Sequence, residues 1–193
     1  MRTTFAALAV IAALSAGAAG AAVVSGVKVD DKAQVAAGGP ELVLNGAGVR
    51  TRLMFDVYVA ALYLPEKKTN AADVLAAAGP KRVAMTMMRD VGADQLAESL
   101  NEGIRLNTPP EELAKMKAQL DELMATMKAV GTARKGDLIA LDFVPEAGTR
   151  VSVNGKETGK PIAGADFYRA LLRIWLGEKP VQDNLKKALL GGG

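Results

Sequence analysis

Residues 44–66, LNGAGVRTRLMFDVYVAALYLPE, set one arginine, Arg50, after Gly46-Ala47-Gly48 and just before a long apolar run that carries Tyr58 and Tyr63. An arginine in that setting has a definite chemistry. An oxyanion entering an apolar cleft loses its hydration, and a guanidinium offers a permanently charged, planar fork that replaces it with two hydrogen bonds. Spacing alone leaves a second reading open, in which Arg50 is an ordinary surface residue. The glycine pair could cradle a phosphate, but it lacks a P-loop lysine and the segment that follows reads as strand, so a tight turn is the better reading.

Other chemistry is limited by what is missing. The chain has no cysteine and no histidine, hence no thiolate nucleophile, no imidazole base and no usual zinc or copper set, leaving Asp and Glu as side-chain metal ligands. No cofactor and no metal is expected. Met85, Met87, Met88, Met116, Met124 and Met127 fall on apolar stripes and read as core, with the lining of an adaptable lipid pocket as the alternative. Lys67-Lys68 and Lys186-Lys187 read as solvated ends, and Asp90 beside Arg89 as a strand-end turn.

The amino terminus points to a compartment. Arg2 is the only charge before Lys28, residues 5–14 form a short apolar core, and Ala19-Gly20-Ala21 offers the small residues a signal peptidase needs. A secretory signal over residues 1–21 and a single domain over 22–193 are expected, with the mature protein in the periplasm. The apolar run is about half of the roughly 20 residues a bilayer requires, so no membrane insertion is expected after cleavage. Without Arg2 the 24 basic residues fall to 23 against 21 acidic ones, too close to neutral to argue for nucleic acid. About 170 residues can bury an adequate core without disulfides.

The periodicities supply strands and helices to position these groups. Residues 55–64 are a strong strand candidate, and 82–89 alternate Val83, Met85 and Met87 against Ala84, Thr86 and Met88; both are largely apolar on each face and should be central. Further strands are expected at 42–45, 137–144 and 149–153, the last turning back at Asn154-Gly155. Helices are expected at 71–78 behind an Asn70 cap, at 93–107, at 109–131, at 165–176 and at 181–190. In a regular strand Asp56, Tyr58, Ala60 and Leu62 share one face and Phe55, Val57, Val59, Ala61 and Tyr63 the other, so Tyr58 and Tyr63 cannot both line one cleft unless a bulge intervenes. Consecutive antiparallel strands with helices gathered to one face make an α+β fold.

Residues 44–66, together with MRDVGADQLAESLNEGI and GADFYRALLRIWLGEKPVQDNLKKALLG, resemble the chalcone isomerase-like family, in particular its bacterial exported branch, from about residue 41 to 190. In that family a Gly-x-Gly-Val-Arg turn leads into a strand ending in a Val-Tyr or Leu-Tyr-Leu pattern. The resemblance implies a chalcone-isomerase-like open-faced sandwich, an antiparallel sheet backed by a layer of helices with a ligand cleft between them. It also implies that Arg50 is an anion clamp, holding a substrate phenolate in true isomerases and a carboxylate in fatty-acid-binding relatives. Against the isomerases, Tyr58 stands where a threonine is expected in the following strand and Leu96 where a tyrosine opens the next helix. An asparagine falls near Gly103, with Asn101 close by, and the serine or threonine of the later helix falls near Tyr168. The resemblance therefore implies a ligand-binding set of Arg50, Tyr58, Leu96 and Tyr168.

With the water-organising network of an isomerase missing, the sequence reads first as a non-catalytic binder of a fatty acid or similar small apolar anion. The alternative is an intramolecular lyase of chalcone-flavanone isomerase type, with Arg50 acting on a phenolic enone. A third reading is a partner-binding protein without a small ligand, using the exposed part of the second helix.

Overall fold

The computed structural model describes residues 20–35 and 39–192. Residues 1–19, where most of the expected signal lies, are outside the described residues. A short hairpin, β1 (Ala21–Val24) and β2 (Val27–Asp30), precedes a seven-stranded sheet. Its strands are β3 (Lys32–Gln34), β4 (Glu41–Arg52), β5 (Phe55–Leu64), β6 (Lys81–Met87), β7 (Leu138–Val144), β8 (Gly148–Val153) and β9 (Lys156–Ile162). They lie side by side in sequence order, and each is antiparallel to its neighbours.

The helices are α1 (Ala71–Ala76), α2 (Ala93–Leu106), α3 (Pro110–Lys115), α4 (Lys117–Val130), α5 (Ala165–Leu176) and α6 (Asp183–Leu189). Their apolar stripes converge on one sheet face, where Leu62, Met85 and Leu141 meet Leu100, Leu123 and Trp175. Asn70 caps α1 by accepting from the Ala72 N–H at 2.8 Å. The fold is the expected α+β sandwich of an antiparallel sheet and a helical layer.

The opposite sheet face is not bare. Val59, Ala61 and Tyr63 of β5 join Val29, Val35 and Leu42 in a second, smaller core roofed by the amino-terminal hairpin. Along this face Arg82 and Asp142, directly opposite each other on β6 and β7, form a bidentate pair at 2.6 Å on both oxygens. The hairpin escaped sequence reading because its strands are only four residues long and mostly exposed.

Two local expectations are corrected. Gly46-Ala47-Gly48 is not a turn; it lies inside β4, paired with Ala60–Leu62 of β5. The glycines are there because α6 crosses them: a Cβ at Gly46 would run into the Ala188 carbonyl oxygen and come within 2.8 Å of that of Leu189, and one at Gly48 within 2.8 Å of the Ala188 Cβ. The helix expected at 109–131 is two, α3 and α4, broken at Met116, whose backbone (φ −108°, ψ 20°) leaves the helical region. Met116 is nevertheless buried, so the apolar period runs through the break and conceals it.

Candidate functional site

The hairpin of β4 and β5 brings Arg50 directly opposite Tyr58. Just beyond that pair the register slips: Arg50 faces Tyr58 but Thr51 faces Asp56, so Val57 is an extra residue on β5. The bulge resets the alternation. In a regular strand Asp56 would share the face of Arg50 and Tyr58; here it turns away and accepts from the Thr51 hydroxyl at 3.0 Å, while Phe55 and Val57 turn toward the helices. A carboxylate is thereby kept away from the arginine and two apolar side chains replace it.

Between this end of the sheet, helices α2 and α5 and Val181 ahead of α6 lies a cleft of about 340 Å³, within the roughly 300–1,000 Å³ typical of small-molecule sites. Met85, Val91, Leu96, Leu100, Ile174 and Val181 supply its apolar walls. Met85 thus serves as both core and lining. Arg50, Tyr58, Gln95 and Ser99 are the polar groups set against those walls, and Arg52 and Arg89 stand at the same cleft with Asp90.

The guanidinium is aimed by a residue that sequence reading did not single out. Gln182, just before α6, accepts through Oε1 from Arg50 Nη1 at 3.1 Å and from the Thr51 N–H at 2.9 Å, and its Nε2 donates to the Val49 carbonyl at 3.2 Å. Arg50 Nη1 also donates to the Thr51 carbonyl. Among the described residues neither Nε nor Nη2 of Arg50 has a hydrogen-bond acceptor, and no carboxylate pairs with it. Two nitrogens of the fork are therefore available to donate to an incoming oxyanion. The only sequence signal for Gln182 was its position beside a helix start, which does not distinguish it from other capping residues.

Tyr58 is fully enclosed, and its hydroxyl accepts from the indole N–H of Trp175 at 3.1 Å. Burial pushes its pKa above the ordinary value, against the opposing pull of the Trp175 hydrogen bond and the nearby Arg50 charge. The hydroxyl accordingly stays protonated at neutral pH and retains its own proton to donate beside the arginine.

The structure brings Arg50, Tyr58 and Leu96 to one cleft but not Tyr168. Tyr168 lies near the other end of α5, with its hydroxyl donating to the Leu141 carbonyl at 2.9 Å and its ring stacked on Phe143 at 5.2 Å between centroids. Helix geometry explains the miss: the α5 residue that reaches the cleft is Ile174, six positions and about 9 Å farther along. Tyr63 is likewise absent from the cleft; it belongs to the second core and donates to the Asp30 carbonyl at 2.9 Å. Gly103 is occupied structurally, packed so that a Cβ would lie 2.9 Å from Ile174 Cγ2. Arg52 is exposed and stands at the edge of the same cleft.

Sheet, helical layer and half-buried arginine together define the class of this molecule. A family model described as chalcone isomerase-like matches residues 21–191, and the chain belongs to that family. A crystal structure of an Arabidopsis thaliana fatty-acid binding protein has the same fold, with a TM-score of 0.67 at 16% identity, over 89% of this chain and 96% of that one. No curated protein matches the sequence.

Proposed function

We propose that this protein binds a small apolar anion, a fatty acid in the first instance, with its carboxylate on Arg50 and its tail among Leu96, Leu100 and Ile174. The observation that carries this reading is the half-satisfied guanidinium of Arg50 beside a protonated Tyr58, set against apolar walls and paired with no carboxylate among the described residues. The fold shared with a protein named for fatty-acid binding supports it. A cleft near the small end of the usual range favours chains of modest length over long ones, or a tail that projects from the mouth. Export through a signal over residues 1–21 is part of the proposal, and sequencing the amino terminus of protein recovered from the periplasm tests it.

Catalysis is not expected. Leu96 stands where an isomerase is expected to have a tyrosine and Tyr58 where it is expected to have a threonine, so the water-organising network that would steady a developing enolate is not reproduced. Native mass spectrometry of protein purified from cells is the primary test. A co-purified acid of modest length supports the reading, whereas a chain that carries nothing and shows no affinity for a fatty-acid series refutes it. Naringenin chalcone should be turned over at no more than the spontaneous rate; faster turnover that disappears in Arg50→Ala would establish the lyase instead.

A further inference from the structure

The hairpin joining β4 to β5 ends in the two-residue turn Leu53-Met54, closed by the cross-strand pair Arg52 and Phe55. Both turn residues hold positive φ, 48° and 66°, the left-handed region in which a bulky L side chain crowds its own backbone. Asn-Gly and similar pairs make such turns with less strain. This chain uses them elsewhere: Ser25-Gly26 between β1 and β2, and Asn154-Gly155 between β8 and β9, have the same two-residue length and the same signs of φ. The fold therefore does not require leucine and methionine at 53 and 54. Strain retained at an exposed turn where an easier sequence was available points to a use for the side chains.

Those side chains project into solvent. Leu53 is 82% exposed, Met54 94% and Phe55 58%, three consecutive large apolar residues at the tip of a hairpin. Cations collar them: Arg52 adjoins the turn, and the Arg89 guanidinium lies over the Phe55 ring at 4.7 Å. Two acids stand nearby, Asp56 accepting from the Thr51 hydroxyl and Asp90 from the Lys135 N–H, and Arg50, at the same cleft, leaves the cations in excess. An apolar tip within an arginine collar is complementary to an anionic bilayer, whose interior takes the apolar groups while its phosphates meet the guanidiniums. Leu53 and Phe55 also form part of the cleft lining, so the same tip lies beside Arg50.

We propose that the Leu53-Met54-Phe55 tip docks into the interface of an anionic lipid bilayer, with Arg52 and Arg89 at the headgroups, seating the cleft against the surface from which an apolar anion would enter. The docking stands independently of what fills the cleft; only the route of entry rests on the fatty-acid reading.

The test is co-sedimentation of ligand-free protein with vesicles of phosphatidylcholine alone or mixed with phosphatidylglycerol. Partitioning should favour the anionic vesicles. The double substitution Leu53→Asn/Met54→Gly should reduce it by at least about tenfold, as expected for loss of two buried apolar side chains, while the thermal midpoint stays level or rises because the turn is relieved. Arg52→Gln and Arg89→Gln should each lower partitioning into anionic vesicles by about fivefold. Because the chain has no cysteine, Met54→Cys can carry a single environment-sensitive fluorophore, whose emission should shift to the blue on anionic vesicles. Unchanged partitioning in the double variant would reduce the interaction to general basic attraction and overturn the proposal. Absence of vesicle binding would overturn it too, without bearing on fatty-acid affinity in solution.

Discussion

Arg50→Ala removes the fork while leaving in place most of what holds it. Gln182 Oε1 keeps its bond from the Thr51 N–H, and Gln182 Nε2 keeps the Val49 carbonyl, so α6 should remain docked. The cost to folding is that of partly buried hydrogen bonds from one nitrogen, about 1 kcal/mol, or a thermal midpoint lowered by about 2–4 °C for a domain of this size. The cost to binding is larger. Truncating one partner of a charged, hydrogen-bonded pair in such a site costs about 2–5 kcal/mol. Two features place this case in the lower half of that range: Arg50 is only half-buried, and the Tyr58 hydroxyl remains to donate one hydrogen bond. A loss of about 2–3 kcal/mol weakens Kd by about 30- to 150-fold. Arg50→Lys should recover only part of this, since an ammonium is a point charge without the planar fork. Arg134→Ala, outside the residues that line the cleft, should bind nearly as the parent does. Arg52→Ala, which the sequence alone would class with Arg134, should show a smaller loss that fades at high salt, because it is exposed and acts by screened attraction. Calorimetry with a fatty-acid series at two salt concentrations separates these cases. Equal losses at Arg50 and Arg134, or no loss at Arg50, would refute the clamp.

Tyr58→Phe should cost about 1–3 kcal/mol of stability by leaving the buried Trp175 N–H without its acceptor; chemical denaturation measures it, and the emission of the sole tryptophan should shift with it. Gly46→Ala should destabilise by about 1–3 kcal/mol, because a methyl there meets the Ala188 carbonyl. It should also weaken fatty-acid affinity in calorimetry, since lifting α6 moves Gln182. All three tyrosines have raised pKa values, Tyr63 pushed up to about 12 by burial and the nearby Asp30. A neutral form favoured by the fold contributes stability that is complete below the unfolded value of about 10 and lost as pH rises toward the folded one. Native protein should therefore show little tyrosinate absorbance at pH 10, and its thermal midpoint should fall between pH 10 and 12, less so in Tyr63→Phe.

What the sequence disclosed and what it concealed divide along physical lines. The strand Phe55–Leu64 and the helix Ala165–Leu176 were legible to the residue, the first as an apolar run interrupted only by Asp56, the second as a strong stripe closed by Gly177. Arg50, Tyr58 and Leu96 came together because they belong to contiguous family motifs. Gly46 and Gly48 misled because a glycine that makes room for a helix looks, in one dimension, like a glycine that makes a turn. The bulge at Val57 carries no composition signal, so the faces of Phe55 and Asp56 were reversed. Tyr168 lies outside the cleft because a shift of less than two turns moves a residue from one end of α5 to the other, and a motif of this length does not fix its register to that precision. Gln182 and the Leu53-Met54 tip depend on contacts and exposure that exist only after folding.

The anchoring of α6 to β4 has a consequence for when the protein becomes competent. Asn45, the extra residue at the first register slip of β4, donates to the Leu189 carbonyl at 2.7 Å across 144 positions, and Gln182 reaches Arg50 across 132. Contacts of that span form only after a long loop has closed, which slows folding. A chain emerging from the ribosome can pair β4 with β5 early, yet it holds an unsteadied arginine beside an open apolar trough until residues 182–189 have been made. The arginine is therefore steadied last, and synthesis halted before Gln182 would leave the residues that line the cleft without the amide that aims Arg50.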